Sequence, residues 1–124
     1  MNSIQLEALQ IISEAKMKDF SPSNNAYSLE IVNEPIFPIK LIPIIEISPI
    51  IRALDVHTFV RERAFSILAA IQQNKPLPPV FIDQPINLTP PYKFRLYDGF
   101  HRYYLSKALG FSHIWAFINP STEL

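Results

Sequence analysis

A short polar segment, Asp98-Gly99-Phe100-His101-Arg102, holds the residues whose types and spacing could do chemistry. It follows an alternating run that predicts a strand over 93–97, and it precedes a pattern that predicts a helix over 100–109. A helix N-terminus presents unpaired N–H groups and the positive end of the helix dipole, and therefore attracts phosphate or carboxylate groups. Gly99 permits a close turn at this junction, and it is one of only 2 glycines in the chain.

The two cations of this segment are unfavourable for the helix alone. His101 and Arg102 fall in its first turn, where positive charge opposes the helix dipole and costs a few tenths of a kcal/mol or more. A bound anion would offset that cost. A second interpretation is purely structural: Arg102 pairs with Asp98, and His101 packs on Tyr104 or Tyr97. Spacing alone leaves both interpretations open.

Composition limits the function classes. The chain has 124 residues, 48% hydrophobic and 18% charged, which allows one folded domain. A net charge of +0 argues against a surface that wraps nucleic acid, although residues 52–107 carry eight Lys and Arg against four acids. The absence of Cys excludes disulfides and sulfur nucleophiles, and 3 His without clustered acids predict no metal site. With no apolar run long enough for a bilayer and no basic leader, we expect a cytoplasmic protein without a membrane partner.

The elements that must position this segment follow from periodicity and from the 12 prolines. We expect an N-terminal helix over 3–19, which could pack on the main core or on a partner. Asp55 is a suitable N-cap for a long helix. Prolines confine the first strand to short pieces or a sheet edge. The expected fold is a small α+β domain at 36–124, with a mixed sheet and packed helices, preceded by a helix and linker at 1–35. Its expected strands are 39–46, 80–82, 93–97 and 114–118, and its expected helices are 56–73 and 100–109.

Several motifs in order resemble the ParB/sulfiredoxin superfamily, which includes the ParB-like nuclease domains. Ile42-Pro43-Ile44-Ile45-Glu46-Ile47 looks like the opening strand of that family, and Leu54 to Gln72 looks like its long helix. Leu77-Pro78-Pro79-Val80-Phe81-Ile82 resembles the next strand, and the Asp-Gly-x-His-Arg run resembles its loop. The resemblance covers residues 39–119 and implies a ParB/sulfiredoxin-like fold.

The resemblance also implies a nucleotide site. In the sulfiredoxin branch the His-Arg pair holds nucleotide phosphates, so Gly99, His101 and Arg102 are the expected phosphate-binding residues. Alignment of the preceding helix adds Arg63 and Ser66 at positions that the branch directs at phosphate. Phe100 stands where that branch has its catalytic Cys, so sulfinic acid reduction is not expected. The implied ligand is a nucleotide such as ATP or CTP with magnesium.

The resemblance to two further branches leaves an enzymatic function open. Kinase-like and nuclease relatives imply magnesium-dependent phosphotransfer or cleavage with Asp98 as the catalytic carboxylate. The kinase-like relatives have a second carboxylate before the long helix, which is missing here, where Arg52 and Asp55 are the nearest candidates. Whether the protein is an enzyme therefore stays open, since Asp98 could instead cap the helix at 100–109.

Binding functions without catalysis also stay open. The chain could be a non-catalytic protein-interaction domain, and it could form a homodimer, while DNA binding is unsupported by the charge. A nucleobase could stack on one of four nearby tyrosines, Tyr92, Tyr97, Tyr103 and Tyr104.

Overall fold

The computed structural model describes residues 3–31, 38–49 and 59–119. These residues form three α-helices, a short 3-10 turn and one five-stranded sheet. The helices are α1 (Ser3–Glu14), α2 (Arg61–Gln72) and α3 (Phe100–Leu109), and the 3-10 turn is Ile44–Glu46. The strands are β1 (Ile39–Pro43), β2 (Ile47–Ser48), β3 (Val80–Asp83), β4 (Phe94–Asp98) and β5 (His113–Ile118).

The sheet is mixed, as the sequence predicts, and its order is β1-β5-β3-β4-β2. β1 pairs antiparallel with β5, β5 parallel with β3, β3 antiparallel with β4, and β4 parallel with β2. Four strand spacings would separate the two edges of a flat sheet by about 19 Å. The link from Pro43 to Ile47 spans at most about 14 Å even when fully extended. The sheet must therefore curl until its two edge strands approach each other.

Alternate strand residues build the core. Ile42, Val80, Ile82, Leu96 and Ile114 are buried on the face that the helices cover. The first helix belongs to the same core, because Ala8, Ile11 and Ile12 are also buried and join the cluster. α1 therefore packs on the main domain, which decides between the two positions that its sequence leaves open. None of the helices within the described ranges is long and apolar enough to cross a membrane.

Three predicted element bounds are wrong. The long helix begins at Arg61 rather than at 56, because Phe59 and Val60 precede it in a non-helical conformation. The first helix ends at Glu14 rather than at 19, since Lys16 adopts a left-handed conformation with φ 60°. The strand predicted over 39–46 breaks at the 3-10 turn that follows Pro43. Arg52 and the expected cap Asp55 lie outside the described residues.

Candidate functional site

Gly99 forms the junction between β4 and α3 as the N-cap residue of α3, with φ 103° and ψ 31°. A Cβ atom at this position would lie 2.6 Å from Val80 Cγ1, so the close approach to β3 requires glycine. As a glycine, the N-cap residue makes no side-chain cap hydrogen bond. The N–H groups and the positive dipole end of a helix N-terminus are an arrangement that suits an anion.

A β-bulge directs the end of β4 toward this junction. The ladder between β3 and β4 pairs Ile82 with Leu96 and then Phe81 with Asp98, which leaves Tyr97 as an extra residue. Bulges of this kind increase the local twist and are common beside functional sites. The bulge places two exposed side chains, Tyr97 and Asp98, directly before the N-terminus of α3.

The Asp98 carboxylate precedes α3 and does not cap it. Its Oδ1 atom accepts the N–H of Gly99 at 3.0 Å, and Gly99 itself occupies the N-cap position. The interpretation of Asp98 as the helix cap is therefore wrong, because the cap needs a left-handed residue in contact with β3. Asp98 remains an exposed carboxylate beside the start of the helix.

Arg102 lies in the first turn of α3 with its Nε atom buried. Among the described residues Nε has no hydrogen-bond partner, and Arg102 forms no ion pair with Asp98. The Arg102 charge lies near Tyr27, where it opposes the rise in the Tyr27 pKa that burial causes. Tyr27 donates its O–H to the Pro78 carbonyl at 2.6 Å. A half-buried arginine with an unused donor can bind an incoming anion without breaking an internal ion pair.

His101 connects the starts of two helices. Its Nε2 atom accepts the backbone N–H of Val60, the N-cap residue of α2, at 2.9 Å. Its ring contacts Phe59 and Phe100 edge-on, with centroid distances of 5.3 and 5.5 Å. The predicted packing on Tyr97 or Tyr104 is therefore replaced by contacts with these two phenylalanines. An imidazole that accepts at Nε2 is neutral and carries its proton on Nδ1.

Helix α1 also contacts residues 59–61 at the start of α2. Glu7 Oε1 accepts the N–H of Phe59 at 3.1 Å, and Glu14 forms an ion pair with Arg61. Val60 has no side-chain cap for α2, so these carboxylates supply the negative charge that a helix N-terminus favours. Residues 59–61 are thus held by α1 and α3 together.

Arg63 and Ser66 lie in the first two turns of α2 and are both exposed. Within the described residues, neither side chain forms a hydrogen bond or ion pair with the start of α3. The structure brings Gly99, His101 and Arg102 together. Arg63 and Ser66 lie on α2, whose N-cap residue contacts His101.

The tyrosines around the loop divide into two groups. Tyr103 and Tyr104 are buried, and Tyr103 donates its O–H to the Ile47 carbonyl at 3.1 Å. Tyr92 and Tyr97 are 37% and 42% exposed. Of this exposed pair, Tyr97 adjoins Asp98 and its ring contacts Phe81 of β3.

Sequence reasoning missed Glu7, Phe59 and Val60. Both residues donate backbone N–H groups at this site, and a backbone donor leaves no trace in residue type; Phe59 adds a ring contact with His101. Glu7 and Glu14 lie seven residues apart and so share one face of α1, which is a signal that could indicate an acidic contact surface. No family model matches this chain, and no curated protein matches it either.

Proposed function

We propose that this domain binds the phosphate groups of a nucleotide at the N-terminus of α3. The observation that carries the proposal is the start of α3, where the N-cap residue is a glycine and Arg102 lies in the first turn. The buried Nε of Arg102 has no partner within the described part of the chain. A phosphate group would accept hydrogen bonds from the first N–H groups of α3 and from the guanidinium.

The close approach of Gly99 to Val80 fixes the position at which α3 begins, because the Val80 side chain fills the space that a Cβ atom of Gly99 would need. His101 connects the start of α2 to this site, because its Nε2 atom accepts the Val60 N–H. A second or third phosphate would extend toward α2, where Arg63 and Ser66 are the exposed cation and hydroxyl.

Magnesium is part of the proposed ligand, since nucleotides carry it on their phosphates. Mg²⁺ in such complexes keeps several waters and uses one or two protein carboxylates. Asp98 is the exposed carboxylate directly before α3 and would be the protein ligand. Tyr97, its neighbour on the bulge, is the proposed contact for the base.

Calorimetric titration with ATP, CTP, GTP and ADP, each with and without magnesium, tests the proposal. Arg102→Ala should weaken binding about tenfold to a hundredfold, because it removes a charge-assisted hydrogen bond of about 1.5–3 kcal/mol. Lys107→Ala, an exposed cation in the last turn of the same helix, should leave the affinity unchanged. Equal affinity in wild type and Arg102→Ala, or no binding of any nucleotide, would overturn the proposal.

A further inference from the structure

The Nε2 atom of the His101 ring already accepts a hydrogen bond within the fold. Val60 donates its backbone N–H to this atom at 2.9 Å, so Nε2 presents a lone pair and not a proton. A phosphate oxygen also presents lone pairs. In its present state, the imidazole therefore cannot donate to an anion from Nε2.

Two helix starts and several charged groups lie close to His101. The N-termini of α2 and α3 both meet at this residue, and Arg102 is its neighbour in α3. The charges on the packed elements are mixed. Within residues 3–31, 38–49 and 59–119 they are Glu7 and Glu14 of α1, Arg61, Glu62 and Arg63 of α2, and Asp98 of β4. Glu14 is paired with Arg61, and Glu7 accepts the amide of Phe59, so neither carboxylate is directed at the imidazole by these contacts.

We infer that phosphate binding at α3 is coupled to the uptake of one proton by His101 and to the release of the Val60 amide. This inference rests on the proposed function. The proton comes from solvent and adds to the Nε2 lone pair. The new N–H then donates to a phosphate oxygen, and the Val60 N–H loses its acceptor and turns to the anion or to water. A protonated Nε2 cannot accept the Val60 N–H, so the two arrangements exclude each other.

The coupling gives the site a pH dependence with a definite sign. An anion beside the imidazole favours its charged form. Binding of the anion therefore strengthens as the pH falls through the range where histidine ordinarily titrates, about 6.5. It also links the ligand to the start of α2. The contact between Val60 and His101 is lost when the anion binds, which loosens the hold of α3 on α2.

Sulfate is the probe for the test, because it keeps both negative charges throughout the range in which histidine titrates. We expect the wild type to bind sulfate about tenfold more tightly at pH 5.5 than at pH 8, the effect of one charge-assisted hydrogen bond. His101→Gln can accept the Val60 N–H through Oε1 but cannot gain a proton, so its affinity should not change with pH. His113→Gln, on β5 beside Ser112, should keep the pH dependence of the wild type.

The Val60 amide provides a second readout that does not depend on affinity. Its hydrogen exchange should accelerate when sulfate is added to the wild type at pH 5.5, and should not respond in His101→Gln. Melting curves confirm that both variants fold. Sulfate binding that is independent of pH, or a Val60 amide that stays protected, would overturn the coupling alone. No sulfate binding at either pH would overturn the proposed site and the coupling with it.

Discussion

Gly99 fixes the geometry of the candidate site at the scale of one residue. In Gly99→Ala the new Cβ would lie 2.6 Å from Val80 Cγ1, in a backbone conformation with φ +103°. We expect a loss of about 2–5 kcal/mol in the free energy of unfolding, from left-handed strain together with overpacking against β3. Urea denaturation measures it.

Gly110→Ala is the matched control for this prediction. Gly110 also has a left-handed conformation, with φ +97°, but its new Cβ would lie 3.8 Å from the nearest atoms of Pro22. Only the strain of about 1–3 kcal/mol should then remain. An equal loss in the two variants would show that the approach of Gly99 to Val80 contributes nothing.

Asp98 separates binding from catalysis. Asn keeps an oxygen that can accept the Gly99 N–H, so Asp98→Asn should melt like the wild type. It should bind magnesium-free nucleotide equally well or more tightly, because it removes a negative charge beside the phosphates. A wild type that consumes nucleotide, with a loss of about 10²–10⁴-fold in Asp98→Asn, would instead assign Asp98 as a general base in phosphoryl transfer.

Residue types predicted part of the candidate site. The pair His101-Arg102 after a glycine is unusual at a helix start, and the structure places these residues at the start of α3 beside the start of α2. The contact of His101 with Val60 could not be predicted, because its donor is a backbone amide 41 residues away. For the same reason, the capping role predicted for Asp98 fails. Close packing on Val80 selects Gly99 as the cap, and sequence spacing contains no information about that contact.

At the scale of elements, α1 supports the start of α2. Glu7→Ala removes the acceptor of the Phe59 N–H and should lower the free energy of unfolding by about 1 kcal/mol, since the contact is partly buried. The Phe59 amide should also lose protection from hydrogen exchange. Gln10→Ala changes an exposed residue of the same helix and should alter neither measurement. Unchanged protection of Phe59 in Glu7→Ala would contradict this role of α1.

The bounds of the elements were predictable where local signals agree with the tertiary structure. The helix over 100–109 is confirmed because glycines at both of its ends adopt left-handed conformations. The start of the long helix was not predictable. Phe59 and Val60 continue the apolar pattern of a helix, but contacts with Glu7, Phe100 and His101 hold them in another conformation. Tertiary contacts override local propensity at this point.

At the scale of the whole molecule, the curled sheet is the feature that strand prediction could not supply. The sequence predicted one strand over 39–46, whereas residues 44–46 form a 3-10 turn that links β1 to β2 on the opposite edge of the sheet. Pro43 ends β1, and an edge strand tolerates a proline because one of its sides forms no ladder. Which strands pair is decided by contacts between distant residues, and periodicity gives only the face of each strand that is buried.

Buried tyrosines limit the stability of the protein at alkaline pH. Burial raises the pKa values of Tyr27 and Tyr103 above the ordinary value of about 10. Above that pH the unfolded chain loses these protons while the folded protein retains them, so stability is complete below about pH 10 and falls as the pH rises. Tyr27→Phe should reduce the slope of unfolding free energy against pH by up to about 1.4 kcal/mol per pH unit. Urea denaturation between pH 9 and pH 11 measures these slopes, and equal slopes for Tyr27→Phe and the wild type would refute the assignment.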